Sequence, residues 1–132
     1  MDISHLIKEI KGHPKYPSVG MIVCHNGVVR STSRDGKLVS GMRITFDRSR
    51  LKSLLNQYKK SPGIVEILVE IKEGTLQVGD DIMYVVVAGD KRENVFPVLE
   101  DVVHSIKEQV VKKIEYIKNN CDDSKQALTA DH

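Results

Sequence analysis

The chain has 132 residues, of which 40% are hydrophobic and 29% are charged, and its formal net charge is +2. This composition predicts one globular domain and excludes a disordered chain, while no run of roughly 20 apolar residues suggests a transmembrane helix. The small net charge gives no support for a nucleic-acid partner, and the charged N-terminus lacks a signal-peptide core, so we expect a cytoplasmic protein without a membrane partner.

The first predicted element is a short helix, which Asp2 or Ser4 can cap and which prolines and glycines in the loop 12–20 bring to an end. Residues 20–30 are rich in apolar and β-branched side chains and predict a strand. A glycine inside this strand, Gly27, indicates a bulge or a close approach of another group to the backbone.

A second strand is predicted for about residues 38–46, and Asp47 can cap the helix that follows it. Apolar and polar residues alternate in 64–72, which makes this segment the clearest strand of the sequence. The residues 73–81 predict a turn. The continuous apolar run 82–88 then predicts a strand in the centre of a sheet.

The last predicted element is a long helix that begins near residue 94 and ends near residue 117. Its apolar stripe consists of Val95, Leu99, Val102, Val103, Ile106, Val110, Ile114 and Ile117. The tail 121–132 has no apolar period and is predicted to be flexible. The order of helices and strands predicts a single α+β domain over residues 1–120, with a mixed sheet flanked by helices.

The sequence gives no reason to expect a metal or a cofactor. It has two cysteines, Cys24 and Cys121, and the first lies in an apolar run, which predicts a buried thiol. No two histidines have a spacing typical of metal ligands, and neither a glycine-rich phosphate loop nor a nucleophile elbow is present.

Several cations stand where strands end. Lys91 and Arg92 lie between a predicted strand and a predicted helix, and Arg30 ends the first strand. One interpretation is a solvated basic face, and the other is an anion site, since a helix N-terminus also favours anions. His25, in the middle of the first strand, is either a pocket residue or a half-buried histidine without a special role.

The sequence resembles the large, catalytic subunit of molybdopterin synthase. The resemblance is carried by "GMIVCHNGVVR" (20–30), "GTLQVGDDIMYVVVAGDKRENVF" (74–96) and "HSIKEQVVKKIEY" (104–116), together with their order and spacing. It covers most of the chain, from about residue 3 to residue 116, and the middle block is the most specific.

The resemblance implies an α/β hammerhead-type fold and a homodimer. It also implies that each end of the dimer binds a small ubiquitin-like sulfur-carrier protein, giving a heterotetramer. The thiocarboxylate at the carrier's C-terminal Gly-Gly would enter a basic pocket, where two sulfurs pass to cyclic pyranopterin monophosphate and form molybdopterin. The expected function is therefore sulfur transfer in molybdenum cofactor biosynthesis, without a cofactor of its own.

The resemblance also assigns expected site residues. It implies catalytic roles for Lys107 and Lys113, with Lys112 as the alternative to Lys113 and otherwise a substrate-binding residue. Arg30 and Arg92 match arginines of the family's substrate pocket. Arginine suits a phosphate through its bidentate geometry, and lysine suits a developing charge or a proton transfer.

The chain departs from the family pattern at two further positions that we expect to bind substrate. Lys91 replaces the histidine of a His-Arg pair, and His25 replaces an aromatic residue two places before Gly27. On one continuous helix Lys107 and Lys113 would point roughly 120° apart, so they could face one pocket only if the helix broke near residues 109–111. The alternative function is a non-catalytic relative, a dimeric carrier-binding or regulatory protein.

Overall fold

The computed structural model describes residues 2–118 and the backbone of residues 125–129. Its three α-helices are α1 (Ile3–Lys11), α2 (Arg48–Lys59) and α3 (Arg92–Gln109), and a 3₁₀ turn spans Tyr16–Ser18. The predicted caps are confirmed. An Asp2 side-chain oxygen accepts a hydrogen bond from the backbone N–H of Ser4 (3.1 Å), and Asp47 accepts one from that of Arg50 (3.0 Å), each satisfying a donor that the helix itself leaves free.

The strands form two antiparallel sheets in the described part of the chain. They are β1 (Met21–Val28), β2 (Val39–Phe46), β3 (Ile64–Ile71), β4 (Gly74–Gln77), β5 (Asp81–Gly89), β6 (Val111–Lys118) and β7 (Lys125–Thr129). One sheet has the order β1-β5-β3 and the other the order β4-β2-β6-β7. The predicted α+β class is confirmed, but where we expected one mixed sheet the structure has two, with antiparallel pairing throughout the described strands.

The central strand β5 has buried side chains on both of its faces. Val85 and Val87 point into the larger core, which they share with α3 and β2, while Val86 belongs to a smaller core under α1. In the smaller core Leu6 and Ile10 of α1 cover the sheet. Burial on both faces explains why β5 lacks the alternation seen in β3 and confirms its predicted central position.

Gly27 lies where the pairing of β1 with β5 changes register. The residues from Met21 to Gly27 pair with β5 in one continuous register, and this register shifts between Gly27 and Val28. The bulge predicted at this glycine is therefore confirmed. It ends β1 next to the loop that carries Arg30, and so it helps to direct that loop.

The prediction of one long C-terminal helix is wrong. The helix α3 ends at Gln109, and after Val110 the chain continues as strand β6, which pairs with β2. The spacing of Val110, Ile114 and Ile117 matches a helical period by coincidence. Pairing with β2 stabilises this segment as a strand in spite of that pattern. Two β-branched residues at 110 and 111 mark the change from helix to strand.

Two smaller predictions also need revision. The segment 73–81, expected to be a turn, contains the short strand β4, which pairs with β2. Cys24, expected to be buried, is exposed, because β1 is an edge strand and α1 covers only part of this face of the sheet. Of the tail 121–132, the structure describes only β7, which pairs with β6, and the other tail residues, Cys121 among them, lie outside the described residues.

Candidate functional site

A cavity of about 360 Å³ opens where β1, β2, α3, β6 and the loop after β1 meet. Its polar wall is formed by His25, Asn26, Arg30, Thr32, Arg34, Lys107, Lys113 and Glu115. Met42 and Ile44 of β2 and Met83 of β5 contribute to its apolar wall. The cavity is therefore a cleft with an apolar base and several convergent charged groups, as is typical of small-molecule sites.

The end of α3 brings Lys107 and Lys113 to one cavity. Lys107 lies in the last turn of α3, and two residues after Gln109 the chain returns as β6. Side chains alternate along a strand, so Lys113 lies on the same face of β6 as the buried residues Val111 and Glu115. The break in the helix that convergence of the two lysines requires is present.

The charges in the cavity are mostly positive. Arg30, Arg34, Lys107 and Lys113 line it, and Glu115, which is only 9% exposed, is the one carboxylate among its described lining residues. Burial, and then the nearby charges of Lys107, Arg34 and Arg30, lower the pKa of Lys113, while Glu115 opposes this shift. The cavity can therefore hold an anion, and Lys113 gives up a proton more readily than an ordinary lysine.

His25 lies in the wall of the same cavity. Its ring nitrogen Nε2 is buried and has no hydrogen-bond partner, and it would lie 3.5 Å from a Cβ atom placed on Gly27. Burial, and then the charge of Lys107, lower the pKa of the imidazole. The ring is therefore neutral at neutral pH, and a methyl group at position 27 would lie in ordinary van der Waals contact with it.

The lowered pKa of His25 predicts a loss of stability in acid. As the pH falls through 6.5, the unfolded chain binds a proton at His25 while the folded chain does not, so the free energy of unfolding falls until the lower folded-state pKa is reached. Replacing His25 with phenylalanine should remove this part of the pH dependence. Urea unfolding at several pH values between about 7.5 and 5 measures it. The exposed His104 provides the control, and an identical effect of His104→Phe would contradict the assignment.

Three of the expected site residues lie elsewhere. Lys91 and Arg92 lie at the start of α3, and at about 1.5 Å per residue the helix separates Arg92 from Lys107 by roughly 20 Å. The side chain of Arg92 is 78% exposed, and its Nε bonds to Glu93 (3.1 Å). Lys112 points away from Lys113 and lines a different depression, near the start of α2. Within one chain, none of the three reaches the cavity.

Arg34 lines the cavity, although it was not among the site residues predicted from the sequence. It lies in the polar loop between β1 and β2, where an arginine is usually solvated, so its neighbours in sequence give no signal. Arg30, which was predicted, is held in the same loop by a hydrogen bond from its Nε to the backbone oxygen of Thr32 (2.8 Å). The loop therefore presents two guanidinium groups to the cavity.

A groove of about 470 Å³ adjoins the cavity along the outer face of α3. Its wall includes Phe96, Leu99, Val103, Glu100 and His104 of α3. His25, Arg34 and Lys107 line both spaces, so the groove and the cavity meet at these three residues. The arrangement suits an extended segment that lies along the helix and ends among the cations.

The described part of the chain has neither a candidate metal site nor a candidate membrane-spanning helix. No three histidine, cysteine, aspartate or glutamate side chains in the described part of the chain lie close enough together to hold a metal ion. In the same residues, no helix has both the length and the apolar character needed to cross a membrane.

Comparison with known proteins places the chain in a family. A sequence model of the MoaE protein family matches residues 1–109, which end with α3, so Lys113 lies beyond the match. None of the curated proteins matches the chain.

Among solved structures the chain is similar to the molybdopterin biosynthesis MoaE protein of Burkholderia ambifaria, with 19% identity and a TM-score of 0.74 over 100% of this chain and 85% of that one. It is also similar to molybdopterin synthase from Staphylococcus aureus, with 20% identity and a TM-score of 0.69 over 84% and 81% of the two chains. A third similar structure is the complex of subunits 1 and 2 of molybdopterin-converting factor from Helicobacter pylori, with 18% identity and a TM-score of 0.70 over 98% and 84%. At these identities the structures show a shared fold, and together with the family match they confirm the predicted resemblance: the chain belongs to the MoaE family, that of the large subunit of molybdopterin synthase.

Proposed function

We propose that this protein acts in molybdenum cofactor biosynthesis as the large subunit of a molybdopterin synthase in the cytoplasm. It would transfer sulfur from the thiocarboxylated C-terminus of a small carrier protein to cyclic pyranopterin monophosphate. Membership of the MoaE family supports the pathway. The observation that carries the proposal is the cavity itself, in which two lysines from α3 and β6 meet two arginines of one loop.

The charges of the cavity suit the reactants. A cyclic phosphate and a thiocarboxylate are both anionic, and so are the intermediates of acyl and sulfur transfer. Arg30 and Arg34 can bind the phosphate through planar pairs of N–H donors, which a lysine cannot provide. The partly buried position of the site strengthens these interactions relative to water.

Each sulfur transfer needs two chemical steps. First, the thiocarboxylate sulfur bonds to a substrate carbon and an oxygen leaves that carbon with a proton, which gives a thioester between carrier and substrate. Lys113 suits the donation of this proton because its pKa is lowered, and Lys107 can stabilise the negative charge. Second, water attacks the acyl carbon, the carbon–sulfur bond breaks with its electron pair on sulfur, and the carrier leaves as a carboxylate.

The groove beside α3 suits the tail of the carrier. Glycines at the end of such a tail add no side chains where it would pass His25, Arg34 and Lys107 to reach the cavity. The Helicobacter pylori structure is a complex of two different subunits, which supports a small protein partner. Phe96, which is 52% exposed in the wall of the groove, offers an apolar contact for that partner.

The proposal includes a homodimer, and with two carriers a heterotetramer. A single chain keeps Lys91 and Arg92 away from its own cavity. A dimer that brings the start of α3 of one chain to the cavity of the other would give both residues their expected substrate-binding role. Sedimentation of the purified protein tests whether the dimer exists.

Reconstitution tests the proposed function. The protein is mixed with the thiocarboxylated carrier of its host and the cyclic precursor, and dithiolene formation is measured. Product formation at a rate that rises with protein concentration is the expected result. Carrier binding without any product would instead favour the alternative of a non-catalytic carrier-binding or regulatory protein.

We expect the binding of the carrier to weaken as salt is added. The tail brings a negative charge to cations that are only partly buried, and dissolved ions screen this attraction. Titration calorimetry at about 0.05 M and 0.5 M salt compares the two affinities under weak and strong screening. An affinity that is independent of salt would contradict electrostatic capture of the tail.

A further inference from the structure

The imidazole of His25 is the least satisfied polar group in the described part of the cavity wall. Its Nε2 is buried beside Gly27 and has no hydrogen-bond partner. A buried ring nitrogen without a partner is unfavourable by about 1–3 kcal/mol unless water or a ligand satisfies it. Nε2 is therefore a hydrogen-bond acceptor that the described protein groups leave without a donor.

Charged and titratable groups from several elements line the cavity and the groove that this ring borders. They are Lys107, with Glu100 and His104, on α3, Arg30 and Arg34 in the loop after β1, and Lys113 and Glu115 on β6. Its backbone neighbour on β5 is the apolar Val85. Among the described residues that line the cavity, His25 is the one side chain with an ordinary pKa close to neutrality. Burial, and then the charge of Lys107, keep the ring neutral, and a neutral ring can accept a proton.

We propose that His25 is a catalytic residue that accepts the proton from the water molecule that cleaves the thioester between carrier and substrate. The inference rests on the function proposed above and adds a role that the lysines do not fill. No hydrogen bond within the described chain holds Nε2 in place, so the ring can turn toward the bound thioester.

Cleavage of the thioester consumes one water molecule. One proton of water passes to Nε2 while the water oxygen bonds to the acyl carbon. The carbon–sulfur bond breaks, and its electron pair stays on sulfur as a thiolate that Lys107 can stabilise. The carrier's new carboxylic acid then loses its proton to solvent, and the imidazolium returns its proton to solvent as well.

The test separates the two steps of sulfur transfer. His25→Phe keeps a ring of similar size but cannot accept a proton. We expect the thioester to form at the rate of the unchanged protein and to break down about 100-fold more slowly. The covalent adduct of carrier and precursor should therefore accumulate, and mass spectrometry of quenched single-turnover reactions detects it. His25→Gln, which is polar but does not titrate in this range, should give the same adduct.

His5→Phe is the matched control, because His5 is an exposed residue of α1 and lines neither the cavity nor the groove. No adduct is expected with this variant. If His25→Phe and His25→Gln release the carrier at the normal rate, the role of His25 is overturned while the proposed function stands. If both steps slow equally and no adduct appears, His25 binds substrate and is not the proton acceptor. If the unchanged protein forms no dithiolene, the proposed function fails, and the role of His25 fails with it.

Discussion

Replacing Lys113 with alanine is expected to lower the rate of dithiolene formation by about 100-fold or more, as is usual for the loss of a general acid. Lys113 lies in the cavity with Lys107, and its lowered pKa suits it to donate a proton to an oxygen that leaves the substrate. Arginine at this position should not restore the rate, because a guanidinium keeps its charge but does not release a proton. Single-turnover reactions with saturating carrier measure the effect.

The neighbouring residue provides the control. Lys112 has the same side chain on the same strand but points to the other side of the sheet. The variant Lys112→Ala should keep the rate within about twofold, as expected for a change at an exposed position. Equal losses of rate in the two variants would contradict a role of Lys113 as proton donor. They would show instead that the reaction depends only on the total positive charge of β6.

Truncating Ile106 to alanine should lower the free energy of unfolding by about 2–5 kcal/mol. Ile106 is fully buried in the larger core, one residue before Lys107, and its removal leaves a cavity that the surrounding strands and helices fill only in part. A loss of this size is a large part of the stability of a small domain and should lower the Tm by roughly 10 °C or more. Urea unfolding followed by circular dichroism measures it.

Ile114→Ala removes the same atoms from an exposed position. Ile114 is 37% exposed and lies on the outer face of β6, so the loss should stay below about 1 kcal/mol. A loss equal to that of Ile106→Ala would mean that this outer face is covered in solution. In that case the dimer proposed above would have to include it.

Local signals predicted most of the fold. The apolar run of β5, the alternation in β3, the caps at Asp2 and Asp47 and the bulge at Gly27 each depend on neighbouring residues, and each is confirmed. The end of α3 was not predicted. What turns the chain into β6 is pairing with β2, whose residues lie far away in the sequence, so a local period could not reveal it.

The candidate site could be predicted only in part. The resemblance to the family pointed to Lys107, Lys113 and Arg30, and the structure brings these three together. Arg34 stands in a polar loop and gave no signal. Lys91 and Arg92 were expected in the site because they precede a helix, but nothing in their own segment shows that Lys107 lies at the opposite end of that helix.

The connection between α3 and β6 consists of the single residue Val110. Lys113 lies opposite Ile44 of β2, and Lys112 lies opposite Thr45. Inserting or deleting one residue in this connection would exchange the two lysines between the cavity and the outer face. The length of the connection after the helix therefore decides which of the two lysines faces the cavity. An alignment of related sequences with a one-residue gap at this point would assign the cavity position to the wrong lysine, even if both lysines were present.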